Sequence, residues 1–291
     1  MTAAAGERAY HRPETVAEAC RNLADAEGQT MVVAGGQTVM LMLREGIVDP
    51  DALVDVSAIP ALGGVSVDDG TATFGATTTY ADLAAHDLSE RVTMFEDACA
   101  VVGDRQIRNA GTLAGAVCYG VAALDILSVL LCLDATLAIE SADGHRTQAL
   151  DDFLRGDGET DLGRAELVTG IDVTLPPSDA GSAYIKHSSV EAGWPTVGVA
   201  ATVTVDDGEF TDVSVGLTAV ADRPIRAPSV EDALDGAAVS EDALATAAGA
   251  ASEDIDPSDD RGGSARYKRA LTPTLVERTL ETATRRAGGA L

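Results

Sequence analysis

At 291 residues, 46% of them hydrophobic, the chain is long enough for two or three modules with real cores, which excludes wholesale disorder. Its 47 acidic against 20 basic residues leave a net charge of −27, spread along the chain at Asp68-Asp69, Asp151-Asp152, Asp206-Asp207 and Asp259-Asp260. That excludes a free nucleic-acid surface, which needs clustered cations to displace counterions. Only Lys186 and Lys268 are lysines; the other basic residues are arginines. The acidic coat reads as a solvated skin suited to concentrated salt, where the screening length falls to about 3 Å at 1 M; an ordinary acidic protein is the alternative. Cys20, Cys99, Cys118 and Cys132 show no C-x-x-C spacing, so they argue against an iron–sulfur or zinc site and fit buried thiols in a reducing cytoplasm. Met1–Glu7 lacks the apolar core of a secretion signal, and no apolar run approaches a membrane span.

In chain order, Thr15 to Ala26 predicts a helix, with Thr15 as N-cap and Glu18 completing a capping box. Met31 to Ala34 predicts a buried strand broken by Gly35-Gly36, then a helix over 38–44 and a strand over Leu53 to Val56. Asp68-Asp69-Gly70 predicts a hairpin between 65–67 and 71–74. A helix is expected near Ser89 to Val102, then a glycine-dotted segment from Gly103 to Gly120, then an apolar helix from Asp125 to Cys132. Strands at 135–140 and 167–175 follow, and Pro176-Pro177-Ser178-Asp179 is the best boundary in the chain. Beyond it, 196–205 and 211–220 form a second hairpin around Asp206-Asp207-Gly208. Alanine-rich helices near 229–236 and 240–251 precede a last helix expected to begin at Thr272, with Pro273 at its first position.

Two segments carry candidate chemistry. In Val33-Ala34-Gly35-Gly36-Gln37-Thr38, two glycines between strand and helix let backbone N–H groups turn toward one point, which suits a diphosphate. A plain tight turn is the alternative, since neither a P-loop nor G-x-G-x-x-G is present. In the run from Gln106 to Gly115, polar, small and glycine residues interleave in a way unlike a core helix or strand. Thr112 and nearby amides could hold a phosphate and Asp125 could accept from sugar hydroxyls, or the segment is a structural Ω-loop.

Motif order adds a resemblance. Ala34-Gly35-Gly36-Gln37-Thr38, the run from Phe74 to Leu83, Gln106-Ile107-Arg108-Asn109-Ala110-Gly111-Thr112, Glu166 to Thr169, Tyr184-Ile185-Lys186, Gly198 to Ala201 and Arg223-Pro224-Ile225-Arg226 occur in one order. In this the chain resembles the FAD-binding medium subunits of the xanthine and carbon monoxide dehydrogenase family of molybdenum hydroxylases. The resemblance implies an α+β chain: a two-lobed FAD-binding domain of p-cresol methylhydroxylase type (lobes 1–58 and 59–177) plus a C-terminal sheet-and-helix domain, 178–291. It implies that Val33, Ala34, Gly35, Gly36, Gln37 and Thr38 wrap the FAD diphosphate. Val102, Gly103, Thr112, Gly115, Ala116 and Tyr119 would line the cofactor, and Asp125 would bind ribityl or sugar hydroxyls. Val168 and Lys186 would sit near the isoalloxazine. Trp194 stands where carbon monoxide dehydrogenase-type subunits carry a flavin-facing tyrosine, or it is a core or interface residue.

The resemblance further implies a cytoplasmic oxidoreductase subunit, not active alone, with no catalytic acid or base and no metal of its own. A molybdopterin-binding large subunit would hydroxylate the substrate, and a [2Fe-2S] small subunit would relay electrons to FAD for an external acceptor. The chain departs from the family at Ala114 and Ala116, where a glycine and a polar residue are usual, and at Val121-Ala122, where an Asp/Ser-Pro step is expected. These departures favour one rival, an FAD-free docking subunit; a second rival is a stand-alone flavin reductase, against which Arg223-Pro224-Ile225-Arg226 and the Tyr267 to Leu271 pattern argue. From the charge alone, the thermal midpoint should rise between dilute buffer and molar potassium chloride; a flat or falling midpoint in a salt series would refute the halophilic reading.

Overall fold

The computed structural model describes residues 8–291, so the reading of Met1–Glu7 lies outside the described residues. The first sheet has three parallel strands in the order Ala9–His11, Ala52–Asp55, Thr30–Val33. Helix Val16–Asp25 packs on its central strand and on residues 136–141 and 167–174, burying Ala19, Cys20 and Leu23, one stripe at helical spacing. Thr15 caps it by accepting from the Glu18 N–H at 3.2 Å. The expected capping box is only half made, because the Glu18 carboxylate accepts from Glu14 N–H at 3.0 Å. A complete box sits instead at Thr79 and Asp82, opening helix Tyr80–Ala85.

The second sheet is antiparallel, in the order Val65–Asp68, Thr71–Gly75, Leu167–Thr174, Thr136–Ser141, Gly144–Ala149. Its first hairpin turns on Asp69 and Gly70, both at positive φ (43° and 79°), the backbone an Asp-Gly pair supplies most easily. The third sheet, also antiparallel, runs Gly181–His187, Val197–Asp206, Glu209–Thr218, Ile225–Arg226, with Asp207 and Gly208 turning its hairpin at φ 47° and 82°. Helices Pro228–Leu234, Glu241–Ala250 and Ala265–Arg286 follow it in the chain, and the last packs on its first two strands.

Three expected elements differ. The helix over 89–102 is broken into Leu88–Arg91 and Met94–Val101. The break comes where Thr93 Oγ1 donates to the Ser182 carbonyl at 2.7 Å and Met94 N–H to Ser182 Oγ at 3.2 Å. The glycine-dotted segment is not a loop. It forms helices Arg105–Ala110 and Leu113–Tyr119, whose first turns are closed by the Asp104 and Thr112 side chains. The last helix begins at Ala265, capped by Ser264, so Pro273 lies in its interior. There Thr272 Oγ1 bonds the Lys268 carbonyl at 2.8 Å. The buried Lys268 ammonium anchors the early turns, donating to Asp260 at 2.5 Å and to the Ala219 carbonyl at 2.9 Å. Ala219 itself holds φ +66°.

Helix Asp125–Cys132 is the junction of the fold. Every one of its residues is buried, and it packs on Met94–Val101 and on the two central strands of the third sheet. Gly216 makes that approach possible: a Cβ there would lie 2.1 Å from the Ser128 carbonyl oxygen. Gly216→Val should therefore cost at least the ~3 kcal/mol typical of severe overpacking. Urea unfolding reads this as a lowered midpoint; an unchanged midpoint would contradict the packing.

Candidate cofactor site

Strand Thr30–Val33 ends at the sheet edge, and Ala34, Gly35, Gly36, Gln37 and Thr38 carry the chain into helix Val39–Arg44. Gly36 holds φ +69°, which reverses the loop. Among the described residues, no acceptor meets the backbone N–H of Gly35, Gly36, Gln37 or Thr38. These four successive amides are left free to donate to an anion. Gly35 is also a contact point: a Cβ on it would lie 1.7 Å from the Ala110 carbonyl oxygen and 3.2 Å from Gly111 Cα. The two candidate segments, distant in sequence, thus meet backbone to backbone.

The second segment is held from behind. Tyr80 N–H donates to the Gly111 carbonyl at 3.1 Å and Leu113 N–H to the Thr78 carbonyl at 3.0 Å, bridging Thr79 and Thr112. Thr112 Oγ1 accepts from Gly115 N–H at 3.0 Å, and Gly115 is exposed. The Arg108 guanidinium donates to the carbonyls of Val102 and Gly103, each at 3.0 Å, fixing the turn where Gly103 takes φ +48°.

The remaining candidates form a second cluster. Asp125, the first residue of the buried helix, accepts from Tyr184 Oη at 2.6 Å and pairs with Lys186 Nζ at 3.0 Å. Lys186 Nζ also donates to the Gly193 carbonyl at 2.9 Å. Trp194 rests edge-on against Tyr119, ring centroids 6.4 Å apart. Val168 is buried in strand Leu167–Thr174, on which helix Leu113–Tyr119 packs. That helix begins beside Thr112 and ends at Tyr119, so it joins the two clusters across about 10 Å at 1.5 Å per residue. The amide loop thus lies at the Thr112 end of this helix, and the Asp125–Lys186 pair with the two aromatic rings at its Tyr119 end.

Residues 4–177 match the family model described as the FAD binding domain in molybdopterin dehydrogenase, and residues 182–283 match the CO dehydrogenase flavoprotein C-terminal domain. The chain belongs to this flavoprotein family. It is 32% identical to the glyceraldehyde dehydrogenase medium chain of Sulfolobus acidocaldarius, over 93% of this chain and 96% of that protein. It is 28% identical to the xanthine dehydrogenase FAD-binding subunit of Escherichia coli O157:H7, over 97% and 98%. A chain of carbon monoxide dehydrogenase from Hydrogenophaga pseudoflava, solved without the Mo-pyranopterin moiety of its molybdenum cofactor, superposes with a TM-score of 0.93. The two chains are 30% identical, with 98% of this one and 99% of that one covered. The flavoprotein is thus an oxidoreductase subunit with FAD as cofactor, and its α+β fold is that of the carbon monoxide dehydrogenase medium subunit.

The departures in this flavoprotein are absorbed locally. Ala114 and Ala116 are both buried in the core. The only buried side-chain polar atoms without partners among the described residues are the hydroxyls of Thr30 and Thr284, so Ala116 orphans none on its own helix. Ala122 needs no proline to fix it. Its N–H donates to Asp157 at 2.9 Å, and its carbonyl accepts from Ala219 N–H at 2.8 Å and Thr218 Oγ1 at 2.6 Å. Tyr184, Gly193 and Arg108 were given no site role from sequence. Tyr184 had a readable signal, lying two residues before Lys186 and therefore on the same face of a strand.

Burial pushes the Asp125 carboxyl above its ordinary range, opposed by Lys186 and by the Tyr184 hydroxyl. Burial, then the charge of Asp125, raises the Tyr184 hydroxyl well above its ordinary value, so it remains a donor. Asp125→Ala would strand the Lys186 ammonium, whose side chain is 6% exposed. Removing one partner of such a pair typically costs about 3–5 kcal/mol. Denaturant unfolding should show that loss, with most of it recovered when Lys186→Met is added; a loss below about 1 kcal/mol would mean the pair is solvated.

Proposed function

We propose that this flavoprotein is the electron-transfer subunit of a molybdenum hydroxylase complex, taking electrons from a [2Fe-2S] small subunit and passing them to an external acceptor. A molybdopterin-binding large subunit would complete the complex. The carrying observation is the row of uncommitted amides from Gly35 to Thr38, set against Ala110 and Gly111 by a contact only glycine allows. When bound, FAD supplies the redox chemistry. Val33 to Thr38 cradle its diphosphate, while Val102, Gly103, Thr112, Gly115 and Ala116 shape the adjoining wall. Asp125 and Lys186 present a fixed pair of opposite charges toward the other end, beside Val168. Tyr119 and Trp194 exclude water there.

This assignment divides the chain into lobes 1–58 and 59–177 and a C-terminal domain 178–291. Support for partnership comes from relatives named as medium chains and FAD-binding subunits. Among the described residues no three His, Cys, Asp or Glu converge to hold a metal. No helix of the described residues is long and apolar enough to cross a membrane. The charge of −27 supports a working environment rich in salt.

Purification of the tagged chain from its host, with iron, molybdenum and flavin assays, tests the proposal. The expected result is a three-subunit complex with one FAD, and flavin lost when Gly36→Asp is introduced. Aspartate tolerates the left-handed backbone better than most side chains. Its charge placed about 4 Å from a phosphate costs about 4 kcal/mol at an effective dielectric of 20, about three orders of magnitude in affinity. Full flavin content in that variant would remove this loop from the site. A flavin-free complex of the wild-type chain would favour a docking role instead.

A further inference from the structure

The connection from His187 to Val197, between the first two strands of the third sheet, is exposed and apolar at its tip. Val190 is 63% exposed and Trp194, the only tryptophan, 55%. Within the connection, Ser188 Oγ and Gly193 N–H donate to the Val190 carbonyl at 2.9 and 3.1 Å, bonds that fold the tip on itself. Its base is held where Thr196 N–H donates to His187 at 2.7 Å and Thr196 Oγ1 to the Gly262 carbonyl at 2.8 Å. Among the described residues, one hydrogen bond ties the tip to the body of the molecule: that from Lys186 Nζ to the Gly193 carbonyl.

The donor of that bond is itself immobilised. Asp125 sits at the start of the wholly buried helix and draws the Lys186 ammonium to 3.0 Å, while Tyr184 takes up a further carboxylate lone pair. An ammonium has three donors and its direction is otherwise free; here two are committed, one to the core and one to the loop. The residue after the tethered carbonyl is Trp194, and its ring lies on Tyr119, the last residue of the helix that starts at Thr112.

We propose that Lys186 is a positioning residue that latches the 188–195 loop: anchored by Asp125, it holds the Gly193 carbonyl and so sets Trp194 against Tyr119. The latch is a property of the chain itself. Its consequence for function rests on the FAD reading above, in which Tyr119 and Trp194 exclude water from the cofactor; the loop that carries Trp194 would then govern how an external acceptor approaches.

Because Trp194 has no fluorescent competitor of its own kind, its emission reports the loop directly. In the full wild-type chain without FAD, time-resolved anisotropy should decay with overall tumbling, with no large fast component. The Asp125→Asn, Lys186→Met pair removes the tether without leaving a lone buried charge. It should introduce a fast local decay, a red shift and greater quenching by acrylamide, while far-UV circular dichroism and cooperative melting persist. A merely structural role for Lys186 would lower the melting midpoint and leave the native-state anisotropy unchanged, and that outcome overturns the latch. If the double variant does not fold, the wild-type decay still decides, since a dominant fast component there overturns the proposal by itself. Titration with FAD separates the two readings. Wild-type Trp194 emission should be quenched more strongly than that of the variant at equal flavin content. Absence of FAD binding with the anisotropy contrast intact would sink the cofactor role and leave the latch standing.

Discussion

A helix with no solvent face must be met by other elements on every side, and Asp125–Cys132 imposes that demand on the whole chain. Its apolar residues belong to the core of the two lobes, which Tyr184 and Ala200 of the third sheet join, while the C-terminal helices pack a second core on that sheet. The approach is so close that the sheet presents Gly216 to it, and Cys132 and Ser214 exchange bonds across the seam. The same demand brings a carboxylate inside, because the first residue of this helix is Asp125. A buried charge has to be matched, and strand Gly181–His187 delivers Tyr184 and Lys186 to it on alternate positions. Packing thus fixes where the one buried ion pair of the cofactor region sits, and the ion pair fixes what stands around it.

Binding a diphosphate to a chain of charge −27 would ordinarily call for cations. Two cations beside the candidate segments are otherwise engaged. Arg108 spends its guanidinium on the Val102 and Gly103 carbonyls, and Lys186 is committed to Asp125. Backbone amides carry partial positive charge without a counter-charge to neutralise it, and the glycine turn leaves four of them in succession without an acceptor. The repulsive surface and the neutral cradle are therefore compatible, since the amides act at contact distance while salt screens the rest.

What could be read from the residues follows from how local each signal is. Asp69-Gly70 and Asp207-Gly208 announce their hairpins because the turn backbone belongs to those residues alone. The Gly35-Gly36 loop was visible for the same reason, and the order of motifs placed the family and its cofactor. The helices at 105–110 and 113–119 were hidden by composition, although Asp104 and Thr112 were legible caps. Pro273 misled, because proline favours a first turn strongly enough to mask the Ser264 cap a little upstream. Strand Ala9–His11 is too short to show any period. The contact between Gly35 and Ala110, and the reach of Lys186 to Gly193, are tertiary facts with no trace in spacing.

Lys186 and Lys268 are both interior, with side chains 6% and 3% exposed, each bonded to an aspartate and a backbone carbonyl. The permanent side-chain cations at the surface are therefore all guanidinium groups, and the chain offers the solvent no ε-amine. Amine-directed chemistry, whether a laboratory ester, a cross-linker or an enzyme that acetylates lysine, finds little to attack in the folded protein beyond its α-amino group. An acylated lysine would instead mark molecules that had opened.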